Sequence, residues 1–354
     1  MSHAAQQSFQ PSRRAPKKRR RTGRIVALCL LALLLLSCGS LYWVYSSIDG
    51  NIDSVDLDQA LGDDRPAKVE TGARDILVVG SDSRAGGDNK ALGGGGNVSG
   101  GRSDTTMVVH IPAGRERATV VSIPRDTLVT RPDCTRADGS TLPRAERVMF
   151  NSVYALGGPA CVTKTVEAMT KVRMDHYMEI DFSGFKELVD ALGGVTVDLD
   201  QPLHSPKTGL DLEPGSHRLD GTQSLAFVRT RYGYGDGSDL GRIGLQQQFI
   251  LALLGEVKNQ DLATSPTKLY KIADTATETL TTDEGLGSVT KLASFGRSLQ
   301  GLDTANMDMV MMPVEYDKRD PNRVVAREPL AGQVWEALRN DQPLPEAAKK
   351  TAKG

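Results

Sequence analysis

Three arginines stand close together in one glycine-rich stretch, FVRTRYGYGDGSDLGRIGLQQQ, at residues 227–248. Arg229 and Arg231 precede the run of glycines, and Arg242 follows it at the start of an apolar helical pattern. Guanidinium groups that gather without matching acids repel one another, and each presents a rigid fork of donors that fits phosphate oxygens. The stretch therefore predicts a binding site for a phosphorylated anion.

Pairs of aspartate and arginine flank three predicted strands. The first strand ends in GSDSR, the second is entered through GRSDT, and the third ends in IPRDT. Ligands of open α/β sheets lie at strand ends, and Mg²⁺ prefers one or two carboxylates together with substrate phosphates. The pattern predicts a metal–pyrophosphate site that stabilises negative charge on a departing phosphate. The residues concerned are Asp82, Arg84, Arg102, Asp104, Arg125 and Asp126.

An apolar stripe runs along the helix predicted after Asp239, with Gln246 one turn beyond Arg242 on a neighbouring face. Two interpretations stay open. The stripe is ordinary core, or it lines a cavity for an apolar tail beside the charged head of a ligand. Its residues are Leu240, Ile243, Ile250, Leu251 and Leu254.

Several other chemistries are disfavoured. The chain has no Gly-x-Ser-x-Gly, His-Glu-x-x-His or CxxC motif, and its five histidines are scattered. His110 and His176 lie in strand-like runs, which favours packed or surface side chains over metal ligands. The glycine-rich stretch 85–101 lacks the Gly-Lys-Ser/Thr of a phosphate loop and is interpreted as a flexible insertion.

Short runs rich in Val and Ile predict buried strands that alternate with helices, which indicates an α/β layered sheet with helices on both faces. Strands are predicted at 75–80, 106–111, 118–123, 176–182, 195–199, 307–314 and 323–327. Helices are predicted at 182–192, 221–229, 239–258, 265–281, 286–299 and near 330–340.

The first 45 residues predict a membrane anchor. Residues 1–24 hold eight Lys and Arg and no acid, and residues 25–45 are uncharged and mostly apolar, long enough to cross a bilayer as a helix. The basic flank should stay in the cytosol, which places the chain after residue 46 outside the cell. One alternative is that the apolar segment belongs to a lipoprotein signal with Cys38 as the lipidated residue. Another is that the basic residues 1–24 bind nucleic acid, which the adjoining apolar segment disfavours.

Residues 46–73 are predicted as a spacer, residues 74–340 as the catalytic domain, and residues 341–354 as a flexible tail. Only Cys134 and Cys161 would be exported. In an oxidising compartment they predict one disulfide that closes a loop of about 27 residues and adds roughly 3 kcal/mol. The alternative is two buried thiols.

Taken in order, several blocks resemble the LytR-CpsA-Psr family of actinobacterial type over about residues 74–258. They are DILVVGSDSR, GRSDTTMVVHI, ATVVSIPRDT, FNSVYALGG, FSGFKELVDALGGVTVDL, LDGTQSLAFVRTR and DLGRIGLQQQ. The resemblance implies a membrane-anchored phosphotransferase on the outer face of a Gram-positive cytoplasmic membrane. Such an enzyme moves a glycopolymer from a polyprenyl-pyrophosphate carrier onto peptidoglycan through a phosphodiester bond, with the lipid tail in a hydrophobic tunnel.

Roles carry over by resemblance. Asp82 and Asp104 would hold Mg²⁺ or Mn²⁺, Asp239 would orient Arg242, and one aspartate near the metal would deprotonate the acceptor hydroxyl. Asp126 and Asn151 would support the site. The groups around the pyrophosphate would be Arg84, Arg102, Arg125, Arg229, Arg231, Arg242 and Gln246. Of all these, the catalytic set would be Asp82, Asp104, Arg125, Arg229, Arg231 and Arg242.

Two positions depart from the family pattern. Met149 stands where relatives commonly have lysine, and Leu245 where many have arginine, so less positive charge is expected here. Two other functions stay open: a pyrophosphatase in which water replaces the acceptor, and a noncatalytic envelope sensor or lipid-binding module coupled to transcription. The basic tail shows no helix-turn-helix pattern, and no nucleic-acid partner is expected.

Overall fold

The computed structural model describes part of the chain. The described residues are Leu35, Ser46, 49–62, 65–82, 101, 103–136, 138–230, 239–259, 265–299, 301–303 and 306–350. No helix within these ranges is long and apolar enough to cross a membrane. The basic tail and almost all of the predicted anchor at 25–45 lie outside the described residues, as do Arg84, Arg102, Arg231 and most of the insertion at 85–101. For Asp239 and Arg242 the structure describes only the helical backbone.

The described strands are numbered in chain order. They are β1 Asp53–Val55, β2 Arg74–Ser81, β3 Ser103–Ile111, β4 Thr119–Ser122, β5 Leu128–Arg131, β6 Cys134–Thr135, β7 Thr141–Leu142, β8 Ala145–Met149, β9 His176–Asp181, β10 Val195–Leu199, β11 Leu203–Ser205, β12 Leu210–Leu212, β13 Gly215–Leu219, β14 Leu280–Asp283, β15 Asp308–Met311, β16 Val314–Tyr316 and β17 Val324–Ala326.

The described helices from Leu57 onward are numbered in the same way. They are α1 Leu57–Leu61, α2 Phe150–Thr170, α3 Phe182–Leu192, α4 Gly221–Arg229, α5 Asp239–Asn259, α6 Pro266–Thr279, α7 Val289–Ser298, α8 Leu330–Arg339 and α9 Glu346–Lys350.

A seven-stranded mixed sheet forms the centre of the domain, in the order β1-β14-β9-β2-β3-β4-β15. Strand β2 is antiparallel to β3 and parallel to β9, and β3 is antiparallel to β4. The end of β2, the start of β3 and the end of β4 therefore meet at one edge of the sheet. The strand predicted at 195–199 is confirmed as β10, which pairs with β13 in a separate two-stranded sheet and not with the central sheet.

The two faces of the central sheet are packed differently. Leu77, Val79, Val108 and Val121 form the closed face, whose side chains are fully buried against α2 and α8. Val78, Val109 and Met178 form the open face. These three side chains are only partly buried and belong to one cluster with Phe295 of α7, whereas Ile76 and Ile111 in the same cluster are buried. The predicted arrangement of helices on both sides of an α/β sheet is confirmed, with unequal packing on the two sides.

The folded domain extends beyond the predicted limits of 74 and 340 on both sides. Strand β1 lies within the predicted spacer, yet it pairs with β14 at the edge of the central sheet. Leu57 and Leu61 stand one helical turn apart in α1 and are both buried in the core. At the other end, Leu344 and Ala348 are buried in the same core. The described part of the predicted flexible tail is therefore packed, because these apolar side chains are buried in the core of the domain.

Helix α2 was not predicted, since its sequence contains Gly-Gly-Pro. Non-helical angles at Gly158 interrupt it before Pro159. Cys161 lies beyond this kink and is bonded to Cys134, which confirms the predicted disulfide. Glycine is required at position 157 because an added Cβ would lie 2.5 Å from the Cβ of Cys161. The bonded cysteine therefore leaves no space for a side chain there.

Candidate functional site

The described residues of the three Asp-Arg motifs, which are Asp82, Asp104, Arg125 and Asp126, lie at one edge of the central sheet. Ser81, the last residue of β2, pairs with Ser103, the first residue of β3, next to an irregularity in register. Asp82 and Asp104 follow these two serines on neighbouring strands. Arg125 comes shortly after the end of β4, which is antiparallel to β3. The strand-end prediction is confirmed for the described residues of these motifs.

Arg125 is fixed between two carboxylates. Its Nη1 donates to Asp104 Oδ1 at 3.0 Å, and its Nε lies 3.6 Å from Asp126 Oδ2. The second distance makes an ion pair but exceeds a hydrogen bond. Nε is buried and has no hydrogen-bond acceptor among the described residues. The guanidinium group is thus held at the sheet edge by one strong contact and one loose one.

The N-terminus of α2 fixes the loop that carries Arg125. The backbone nitrogen of Asn151 donates to the carbonyl of Arg125 at 3.0 Å, and that of Phe150 donates to Thr127 at 2.9 Å. Two otherwise unpaired amide groups of the first helical turn are satisfied in this way. Asn151 is buried and acts here through its backbone.

Gln246 joins the helix pair α4–α5 to the same edge. Its Nε2 donates to Thr105 Oγ1 at 3.0 Å and to the carbonyl of Val228 at 3.1 Å. Thr105 follows Asp104, and Val228 precedes Arg229, so this one amide ties both parts of the site together. Both of these contacts are to the protein, which makes Gln246 a connection between elements in this structure.

Arg229 lies at the C-terminal end of α4, beside the strand that neighbours β2. Its guanidinium carbon stands 4.6 Å from the ring centroid of Phe182, the first residue after β9. A cation over an aromatic face is favourable and restricts the orientation of the side chain. Phe182 was predicted at the end of one strand and the start of the next helix, and its contact with Arg229 could not be found from the pattern.

The departures from the family pattern lie inside the domain. Leu245 is fully buried and packs with Phe227 and Phe249 in the core between α4, α5 and β10. It supplies apolar packing there. Met149 is partly buried at the junction of β8 and α2. In the predicted stripe of α5, Ile243 is buried, whereas the side chains of Ile250, Leu251 and Leu254 remain partly exposed.

A buried acid near the site was missed by the sequence analysis. Glu179 on β9 accepts a hydrogen bond from the Tyr177 hydroxyl at 2.6 Å, and a second one from the Tyr154 hydroxyl. Burial, together with the negative charge of Glu179, raises the pKa of both phenols well above its usual value. The phenols therefore stay protonated and donate. The one available signal was an acid inside the strand-like run HYMEIDF.

Arg323 was also missed as a neighbour of the site. Its Nη1 lies 3.9 Å from Asp126 Oδ1, whereas Arg125 Nε lies nearer to the other oxygen, Oδ2, at 3.6 Å. The run RVVAR predicts the strand β17 correctly, but the pattern carries no information about the partner of its first arginine.

Asp82 and Asp104 provide only part of the coordination that a divalent metal ion needs. Across the described ranges, no group of three or more His, Cys, Asp or Glu side chains could hold a metal ion. Two carboxylates supply hard oxygen ligands, which suits Mg²⁺ or Mn²⁺ when phosphate oxygens complete the coordination. His110 and His176 are instead packed against Asp75 and Asp283, respectively.

Comparison with family models gives one match. The model described as the LytR_cpsA_psr family matches residues 44–340 of this chain. That range covers the whole candidate site and extends beyond the blocks recognised from the sequence.

Several curated relatives share sequence with this chain. The probable cell wall biosynthesis protein LcpB of Corynebacterium glutamicum is 36% identical over 236 residues, covering 66% of this chain and 53% of that protein. The cell wall biosynthesis protein LcpA of the same organism is 31% identical over 316 residues, covering 82% and 60%. The chain thus spans little more than half the length of these two relatives. A polyisoprenyl-teichoic acid–peptidoglycan teichoic acid transferase, TagU of Oceanobacillus iheyensis, is 29% identical over 305 residues, covering 84% and 88%.

Two solved structures share the fold. The LytR-Csp2A-Psr enzyme from Actinomyces oris aligns with a TM-score of 0.59 at 22% identity, covering 81% of this chain and 96% of that one. TagT bound to LI-WTA aligns with a TM-score of 0.58 at 22% identity, covering 81% and 98%.

Proposed function

Because the chain belongs to the LytR-CpsA-Psr family, we propose that it moves a glycopolymer from a polyprenyl-pyrophosphate carrier onto peptidoglycan through a phosphodiester bond. Relatives named as teichoic acid transferases to peptidoglycan support the type of reaction. The glycopolymer itself is proposed by chemical class only.

The observation that carries this proposal is the convergence of two acids and two arginines at one edge of the sheet. Asp82, Asp104 and Arg125 lie at the adjoining ends of β2, β3 and β4, and Gln246 connects them to the end of α4, which carries Arg229. Arginine forks fixed in advance stabilise the charge that grows on phosphate oxygens as the bond to the carrier breaks. The leaving group would be the polyprenyl phosphate.

Asp82 and Asp104 would hold the Mg²⁺ or Mn²⁺ ion, which would neutralise phosphate charge when bound. Arg125 and Arg229 would bind the pyrophosphate oxygens from the protein side. One of the two aspartates would accept the proton of the acceptor hydroxyl during attack. The packing of Arg229 on Phe182 restricts the orientation of that guanidinium group.

The open face offers a surface for the polyprenyl tail. Val78, Val109 and Met178 are partly exposed on the sheet side, and Ile250 and Leu254 are partly exposed on α5. Because Gln246 of α5 bonds to Thr105 at the site edge, this apolar surface begins beside the charged groups. A ligand with an anionic head and an oily tail would fill both.

The predicted anchor at 25–45 would tether the enzyme to the cytoplasmic membrane, with its N-terminus in the cytosol and the catalytic domain outside. The bond between Cys134 and Cys161 supports an oxidising compartment, where such bonds persist. At the outer face of the cytoplasmic membrane, the catalytic domain would meet both the lipid-linked substrate and peptidoglycan.

The test uses the full chain reconstituted in lipid vesicles with a lipid-linked glycan and peptidoglycan. Arg125→Ala, Arg229→Ala and Asp104→Ala should each lower the rate of transfer by about 100-fold or more, since each removes charge stabilisation. Arg144→Ala is the matched control, because the Arg144 side chain is exposed and pairs with the exposed Glu146, and its backbone bond to Asp133 survives the substitution.

Full transfer by all three variants would refute the proposal. Release of polyprenyl phosphate without any glycan on peptidoglycan would instead identify the enzyme as a pyrophosphatase. Stable binding of the lipid-linked substrate without turnover in the wild-type protein would identify a lipid-binding module.

A further inference from the structure

A rigid loop between β16 and β17 presents Arg323. Asp317 accepts hydrogen bonds from Arg147 Nη2 at 2.7 Å, and from the backbone nitrogens of Arg319 and Asp320 at 3.1 and 2.9 Å. The backbone nitrogen of Arg323 donates to the carbonyl of Asp320 at 2.9 Å. With both ends of the loop bonded in this way, the position of the Arg323 backbone is fixed.

This hairpin is docked on the loop that carries Arg125. The backbone nitrogen of Val324 donates to the carbonyl of Asp126 at 3.4 Å, and Val324 forms a parallel bridge with Thr127. The docking places the Arg323 side chain beside Asp126. Arg323 and Arg125 thus approach the same carboxylate from segments that are far apart in the sequence.

The two carboxylate oxygens of Asp126 face different arginines. Its Oδ2 lies 3.6 Å from Arg125 Nε, and its Oδ1 lies 3.9 Å from Arg323 Nη1. A buried donor without an acceptor is unfavourable. Arg125 Nε is such a donor within the described structure. A shift of well under 1 Å by Asp126 would turn the loose contact into a hydrogen bond, so something must oppose that shift.

We propose that Arg323 is a positioning residue that holds Asp126 away from Arg125 and so preserves the positive charge that Arg125 offers to a diphosphate. Arg125 is already bonded to Asp104 through Nη1. A second carboxylate bonded through Nε would leave two acids on one guanidinium and would repel phosphate oxygens. The inference rests on the proposed function, because it assigns Arg323 to the pyrophosphate end of that site.

The experiment compares Arg323→Ala, Asp126→Asn and the double variant in the full-length protein. Binding of undecaprenyl pyrophosphate in detergent micelles is measured by calorimetry, and KM and kcat are measured with the lipid-linked glycan. Arg323→Ala should weaken binding about tenfold, as expected for a coupled neighbour. Adding Asp126→Asn should restore binding to within about threefold of wild type, because the neutral amide no longer cancels the charge of Arg125.

Arg319→Ala is the matched control, since this exposed arginine lies in the same loop and should leave binding unchanged. If thermal denaturation shows that Arg323→Ala does not fold, Arg323→Gln replaces it in the same measurements. Arg323→Lys should keep most of the affinity, because it retains a positive charge beside Asp126.

Wild-type affinity in Arg323→Ala and Arg323→Gln would overturn the inference. A loss that Asp126→Asn does not restore would also overturn it, because Arg323 would then act by direct contact or through the fold. Arg125→Ala separates this inference from the proposed function. If that variant binds undecaprenyl pyrophosphate normally, the site itself is wrongly assigned, whatever Arg323 does.

Discussion

The two faces of the central sheet are formed by alternate residues of the same strands, yet they differ in packing. Val79 on the closed face is fully buried against α2 and α8, whereas its neighbour Val78 on the open face is only partly buried near α7. Helix α7 itself contributes no fully buried residue. The closed face is therefore packed more completely, whereas the open face has buried side chains such as Ile76 beside others, such as Val78, that stay partly exposed.

The largest contrast is expected between two phenylalanines. Phe150→Ala on α2 removes a fully buried ring from the closed face and should lower the free energy of unfolding by about 3–5 kcal/mol. Phe295→Ala on the open face should cost less than about half as much, because that ring is only partly buried. Unfolding in urea measures both values, and equal losses would contradict the distinction between the two faces.

A second large effect concerns the disulfide at the closed face. Replacing both Cys134 and Cys161 by alanine opens a loop with a sequence separation of 27 residues and should lower the free energy of unfolding by about 3 kcal/mol. Wild-type protein unfolded in urea with a reductant should show a comparable loss. If the double variant is as stable as the oxidised wild type, the bond adds nothing to the closed face.

Replacing each of two adjacent valines with phenylalanine tests the difference between the two faces one residue at a time. Val79→Phe overpacks the closed face and should cost about 1–3 kcal/mol of stability. Val78→Phe should cost less than about 1 kcal/mol but weaken the binding of undecaprenyl phosphate about tenfold, because the ring occupies the proposed position of the lipid tail. Normal lipid binding by Val78→Phe would argue against the open face as the lipid surface.

The smallest effect depends on pH. Burial alone would lower the pKa of His110, but its hydrogen bonds to Asp75 and Asp341, and their negative charges, raise it. A histidine with a raised pKa in the folded state adds stability that is complete below the unfolded pKa of about 6.5 and disappears as pH rises through the folded value. Stability should therefore fall above about pH 6.5.

His110→Asn should flatten this dependence, as measured by urea unfolding at several pH values. His204→Asn is the control, because His204 forms only an exposed pair with Asp211. If the stability of the wild type instead rises above about pH 6.5, the hydrogen bonds from His110 to Asp75 and Asp341 are not formed in solution.

The central part of the fold could be predicted because its strands are buried on both sides. Strands β2, β3, β4 and β9 appear in the sequence as Val- and Ile-rich runs, and Gly193 marks the end of α3 through its left-handed backbone. The polar motifs at the ends of those strands predicted the site edge. These features are local, so neighbouring residues in the sequence are enough to reveal them.

Features that depend on distant partners could not be predicted. The run VTVDL reads as a buried strand, but nothing in it shows that β10 pairs with β13 and lies outside the central sheet. Helix α2 was missed because Gly-Gly-Pro normally ends a helix. The shared contact of Arg323 with Asp126 and the two phenols on Glu179 arise only from tertiary packing.

The pairing of Ser81 with Ser103 has a consequence for how the sequence can vary between family members. The polypeptide leaves the sheet and returns to it at the same point, so insertions or deletions there need not shift the register of the core strands. Because that point borders Asp82 and Asp104, the length of the connecting segment could vary beside the proposed site while the strands beneath keep their pairing.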